Sequence, residues 1–105
     1  MFAKKLYLWY TMSSKTPALG ATCLSLKGHD KGKAYVVVKI LDPEFVMVAD
    51  GRTRRVKNAK KKRFKHLRIL PWSATPQMLA KIALGTLDDN EVHKFLLSLD
   101  YFRET

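Results

Sequence analysis

Ala34-Tyr35-Val36-Val37-Val38-Lys39-Ile40-Leu41, Asp42-Pro43-Glu44 and Phe45-Val46-Met47-Val48-Ala49 decide the fold of this chain. Two runs rich in β-branched and apolar residues flank a short turn whose proline is already set for a turn position. In the first run Ala34, Val36, Val38 and Ile40 fall on one face, and Tyr35, Val37, Lys39 and Leu41 on the other. Both faces are mostly apolar, which predicts a central strand covered on both sides. The second run is its antiparallel partner. Asp50-Gly51 is a strong signal for a primed hairpin turn, so Arg52-Thr53-Arg54-Arg55-Val56 is expected to pair back. Upstream, Leu24 and Leu26 alternate with Cys23 and Ser25, as in a half-buried strand. Phe64 to Leu70 supplies a fifth strand, with Leu67 and Ile69 inward and His66 and Arg68 outward. The expected fold is mainly β: five short sequential strands in a small, strongly bent barrel.

The two upstream runs are joined by Lys27-Gly28-His29-Asp30-Lys31-Gly32-Lys33. Its glycines open positive φ to the backbone, and its lysines and histidine surround them. Such a loop offers N–H groups and cations to a phosphate, or serves only as a solvated hairpin turn. Asp30 reads as a local turn former. The second basic feature is denser. Ten of the seventeen residues from 52 to 68 are Lys or Arg: Arg52, Arg54, Arg55, Lys57, Lys60, Lys61, Lys62, Arg63, Lys65 and Arg68. None is acidic, whereas an ordinary solvated face mixes both signs. Phosphate neutralisation with counterion release is the mechanism this pattern favours. The arginines suit ordered contacts, and Lys60–Lys62, read as a loop, suit diffuse ones. His29 and His66 add to the same surface. Tyr35, Phe64 and Trp72 are the aromatics placed to stack on a base, with core packing as the alternative for Phe64 and Trp72. A lysine-rich nuclear-import signal is a further reading of the run.

Several segments together resemble the KOW-motif RNA-binding domains. They are Leu19-Gly20, Ser25 to Lys33, Tyr35 to Asp42, Val46 to Arg52, Lys60-Lys61-Lys62 and Lys65-His66-Leu67. The similarity is to the branch holding the fourteen-e-type large-subunit ribosomal proteins and short bacterial KOW-domain RNA-binding proteins, and it spans about residues 19–70. Tyr35 stands where many KOW motifs have another glycine. The resemblance implies an SH3-like (KOW) barrel that binds structured rRNA. It also places the RNA contacts on the basic loop and on the lysine-rich stretch.

The chain of 105 residues carries a net charge of +11, which draws polyanions. Residues 1–74 hold +13 of it and residues 75–105 hold −2, so a basic body precedes a slightly acidic end. Cys23 is the sole cysteine, which excludes an intrachain disulfide and fits a cytoplasmic setting. It reads as a small buried hydrophobe. The three histidines are scattered, so neither a catalytic group nor a metal site is expected, and no cofactor. Residues 1–18 read as an arm and linker. They open like a signal peptide but carry no convincing apolar core or cleavage site, and a membrane partner is not favoured.

After Pro71 the period becomes helical. Thr75-Pro76 reads as an N-cap with proline at the first helical position, and Gly85 as the stop. Asp88 and Glu91 have the spacing of a capping box for a second helix. Val92, Phe95, Leu96, Leu99 and Phe102 form its apolar stripe, to be packed on the same chain or presented to a protein partner. The expected organisation is an arm over 1–18, a barrel over 19–70 and a helical extension over 75–105. The expected function is non-catalytic RNA binding on the ribosome. The alternative is a protein-interaction adaptor whose charge only steers.

Overall fold

The computed structural model describes residues 17–99, so the N-terminal arm up to Thr16 and the position of Phe102 lie outside the described residues. Five strands form one antiparallel sheet: β1 (Ala21–Ser25), β2 (Ala34–Ile40), β3 (Phe45–Ala49), β4 (Lys60–Arg63) and β5 (Leu67–Ser73). The spatial order is β4-β3-β2-β1-β5, which puts the doubly apolar β2 in the centre. Helices α1 (Pro76–Leu84) and α2 (Asp89–Ser98) follow. The fold is therefore mainly β, a five-stranded antiparallel sheet followed by a helical pair. A single 3₁₀ turn at Phe64–His66 carries the chain from edge strand β4 to edge strand β5.

Alternation along the strands builds two cores, one on each face. Cys23 pairs with Tyr35 and Val37 with Val48. These residues, with Ala21, Val46 and Leu67, fill the core on one face of the sheet. Leu24 pairs with Ala34, and both join Val36 and Leu70 on the opposite face. There they meet Met78 of α1, Leu87, and Val92 and Leu96 of α2. Register shifts between Ala21 and Cys23 and between Val37 and Lys39 mark bulges, which bend strands and sharpen twist. The helices thus close a core that the sheet leaves open.

The chain differs from expectation at the fourth strand. Arg52–Val56 is not a strand, and Lys60–Arg63 pairs with β3 instead, with Val48 opposite Lys60 and Phe45 opposite Arg63. The reason lies in Asp50. Its carboxylate accepts from the backbone N–H of Arg52 at 2.9 Å and of Arg54 at 2.7 Å. The amides of Asp50 and Gly51 both donate to the Arg54 carbonyl, so the segment coils on itself. Consequently Lys60–Lys62 lie in a strand and not in a loop. The last strand begins at Leu67 and runs through Pro71 to Ser73, which an edge strand tolerates.

Thr75 caps α1 by accepting from the Met78 amide at 3.2 Å, with Pro76 at the first helical position and Gly85 as C-cap. Asp88 holds the N-cap position of α2, but its side chain makes no capping bond. Glu91 turns instead to Lys81 of α1, at 2.7 Å. Asp89 Oδ1 accepts from the Val56 amide at 2.7 Å and ties α2 to the segment after β3. Val92, Leu96 and Leu99 are buried and Phe95 is packed on the same core, so this stripe faces its own chain.

Candidate nucleic-acid interface

The basic residues separate into two populations, and period-two geometry in β4 does the sorting. Lys60 and Lys62 point to the side of Val48 and Val46 and reach Asp30 in the loop between β1 and β2. Lys61 and Arg63 point outward. Their charged groups lie 4.5 and 5.0 Å from the centre of the Phe45 ring, as cation–π contacts.

Asp30 is the hub of the inward set. Its Oδ1 accepts from Lys62 Nζ at 2.7 Å and Ser25 Oγ at 2.8 Å. Its Oδ2 accepts from the Tyr35 hydroxyl at 2.6 Å and Lys60 Nζ at 3.2 Å. Burial works against the charge, but the donors from Lys62, Tyr35, Ser25 and Lys60 outweigh it and hold the carboxyl well below the usual range. Lys62 also donates to Ser25 Oγ and to the Lys27 carbonyl, and its side chain is only 10% exposed. Its ammonium therefore braces the loop from within. Its assignment to diffuse phosphate contact is corrected: burial and three acceptors leave it nothing to offer.

A second acid serves the other side of the loop. Asp50 Oδ2 lies 3.1 Å from Lys33 Nζ and accepts from Thr53 Oγ1 at 2.6 Å. Lys33 also donates to the Thr53 hydroxyl. Burial raises the Asp50 pKa, yet the bonds from Thr53, the Arg52 and Arg54 amides and Lys33 bring it down to about 2. Lys33, Lys60 and Lys62 are thus engaged by carboxylates. Among the described residues no carboxylate is paired with the exposed Lys27, Lys31, Arg52, Arg54, Arg55, Lys57, Lys61, Arg63, Lys65 or Arg68.

The structure brings two distant basic segments together. The Leu26 amide donates to the His66 carbonyl at 2.9 Å, which sets the start of the 27–33 loop beside the 3₁₀ turn. His66 is lowered from its ordinary value, first by burial and then by Lys27, Lys65, Arg63 and Lys62. That cluster is predominantly cationic, with exposed Glu44 lining a hollow beside Arg63 and Lys65. Gly28 and Gly32 both have positive φ, and exposed His29 and Lys31 lie between them. Arg52, Arg54 and Arg55 sit apart from this patch, on the coiled segment after β3.

Tyr35 does not present a ring for stacking: it is buried, and its hydroxyl is spent on Asp30. Phe64 and Trp72 pack against the two cores. Phe45, beneath Lys61 and Arg63, is the aromatic at the basic surface that sequence reading missed; its pairing with β4 was the signal, hidden by the misplaced fourth strand. Cys23 is fully buried and its thiol is pushed up to about 12 by burial, against a smaller lowering by Lys62. Such a thiol is no nucleophile at neutral pH. Among the described residues no cluster of His, Cys, Asp or Glu has metal-binding geometry, and no helix is long and apolar enough to cross a membrane. The chain matches no family model and no curated protein.

Proposed function

We propose that this protein is a non-catalytic RNA-binding protein of the KOW type, associated with the ribosome in the cytoplasm, which holds structured RNA by its phosphates. One observation carries the reading: the Lys27 loop and the Lys61–Arg68 segment converge into a patch where exposed cations outnumber the exposed acid Glu44, which lies beside Arg63 and Lys65. Burial lowers the His66 value first, and Lys27, Lys65, Arg63 and Lys62 lower it further. A surface with such an excess of cations attracts polyanions. RNA is favoured over DNA because the fold presents basic loops and a strand, with no basic helix for a major groove among the described residues. The resemblance to KOW domains of the ribosomal branch supports rRNA as the ligand class.

Crosslinking the tagged protein in cells and sequencing the attached RNA tests this. Crosslinks on one large-subunit rRNA segment, mapping to residues 27–33 and 52–68, are expected. A diffuse or absent RNA signal would reject it. One feature favours the adaptor reading as a second possibility. Val38, Leu41, Met47, Val56 and Ile82 form the apolar part of a groove that Lys39, Lys57 and Asn58 also line, next to Leu84, which is 76% exposed. Recovery of one protein partner in high salt, without RNA, would move the function there.

A further inference from the structure

We infer that the cleft between helix α2 and the turns at Gly32–Lys33 and Asp50–Thr53 receives one unpaired nucleotide. The inference rests on the RNA-binding reading and adds the RNA feature that the site takes. The cleft has a volume of about 470 Å³, within the range occupied by small-ligand sites. Its floor is apolar: Ala34 and Leu96 are buried, and Leu97 is 53% exposed. Its rim is polar, with Lys33, Arg52, Thr53 and His93.

These parts match the parts of a nucleotide. A base offers an apolar face to a hydrophobic wall and a polar edge to an imidazole, and its phosphate seeks a cation. His93 supplies an edge partner; the Thr53 hydroxyl, which donates to Asp50 and accepts from Lys33, only lines the rim. Arg52 is exposed and has no carboxylate partner among the described residues, whereas Asp50 in the same wall is already satisfied by Lys33, Thr53 and two amides. The cationic character of the rim therefore survives its one acid. Nothing lies within 4 Å of where a Cβ would stand on Gly32, so the backbone on that side is open to a close ligand.

The cleft is also held in shape. Gly51 packs directly on the Asp89 and His93 backbone, and Asp89 bonds the Val56 amide. Helix and sheet cannot separate there without breaking both interactions. A base inside a duplex has its faces covered by neighbours, so the occupant is an unpaired one. Exposed Arg54 and Arg55 continue the cationic track away from the cleft.

The test compares a hairpin RNA carrying one bulged nucleotide with the fully paired hairpin of the same sequence. The wild-type chain should prefer the bulged hairpin by about fivefold, the scale expected for roughly 40 Å² of apolar surface removed from water. Leu97→Asp puts a carboxylate at the cleft and should erase that preference. Leu84→Asp makes the same charge change outside the cleft and should keep it. Ultraviolet crosslinking of the wild-type chain should place the bulged nucleotide on a peptide carrying Thr53, His93 or Leu97. Measurable but equal affinity for the two hairpins would overturn the inference. So would a preference that survives Leu97→Asp, or crosslinks confined to the Lys27–Lys31 and Lys61–Arg68 side. Failure of both hairpins to bind at low salt would overturn the RNA reading itself.

Discussion

The Lys62 ammonium lies 2.7 Å from the Asp30 carboxylate, an ion pair that spans 32 residues of sequence and joins strand β4 to the loop between β1 and β2. Both side chains are nearly buried, and Ser25, Tyr35, Lys60 and the Lys27 carbonyl complete the network. Asp30 and Lys62 thereby fix the loop that carries Lys27, His29 and Lys31, while those side chains stay in solvent. The pair shapes the candidate binding surface without belonging to it.

Neighbouring lysines should accordingly fail in opposite ways. Lys62→Met leaves a buried carboxylate short of its main partner, and breaking such pairs costs roughly 3–5 kcal/mol. The lower end is expected, since Tyr35, Ser25 and Lys60 still donate to Asp30. Lys61→Met loses a cation–π interaction worth about 0.5–1 kcal/mol, and loses one phosphate partner. Urea denaturation and RNA titration of the two variants separate these effects. Equal denaturation midpoints would refute the bracing role of Lys62.

Acid should unfold the protein through the same carboxylates. Asp30 and Asp50 are both held below their unfolded values, so each contributes stability that is present above about pH 4. That contribution is lost as pH falls through the folded values, about 2 for Asp50. A midpoint between about pH 4 and pH 2 is expected in a circular-dichroism titration. Asp50→Asn should flatten the low-pH limb, and a limb unchanged by that substitution would show that other groups drive the transition.

His66 gives binding its own pH dependence. Burial and the cations Lys27, Lys65, Arg63 and Lys62 lower its folded value, so protonation opposes folding as pH falls through the imidazole range. A phosphate on the patch offsets those cations and favours the protonated ring. RNA affinity should therefore rise between about pH 7.5 and pH 5.5, and His66→Gln should remove part of that rise. A wild-type and variant pH profile that coincide would place the phosphates elsewhere.

Two glycines should respond differently to alanine. A Cβ on Gly51 would stand 2.1 Å from the Asp89 carbonyl oxygen, on a backbone with φ of +76°. Strain of about 1–2 kcal/mol then adds to a backbone collision of about 1–3 kcal/mol. Gly32 has φ of +89° but open space around it, so only the strain applies. Thermal melts should rank Gly51→Ala well below Gly32→Ala, and the reverse order would contradict the docking of α2 on the turn after β3.

The fold was legible wherever local chemistry and tertiary packing agree. Val36 and Val37 announce a strand covered on both faces, and Thr75-Pro76 and Gly85 mark their helix ends by mechanisms that act within a turn. The Asp50-Gly51 signal misled because the Asp50 side chain competes for the amides of Arg52 and Arg54, a bond no periodicity reveals. In the candidate site the run of like charge was readable, but its sorting was not. Lys60 and Lys62 differ from Lys61 and Arg63 only by which side of β4 they occupy, and a run of like residues shows no alternation. Asp30 had the look of a turn residue because its partners lie as far off as Lys62.

The arginines after β3 supply the last prediction. Arg52 and Arg54 hold Asp50 through backbone amides, which alanine retains, and their side chains and that of Arg55 are exposed. The triple change to alanine should therefore leave the melting curve close to wild type while weakening RNA binding. A complex through about five phosphates gives a slope of log affinity against log salt of roughly −3.5 to −4.5. Removing three cations lowers that magnitude by at most about 0.9 for each phosphate no longer neutralised. The slope thus counts how many of the three touch RNA. A triple variant with unchanged affinity and slope would confine phosphate binding to the side of the molecule that carries Lys27, Lys61, Arg63, Lys65 and Arg68.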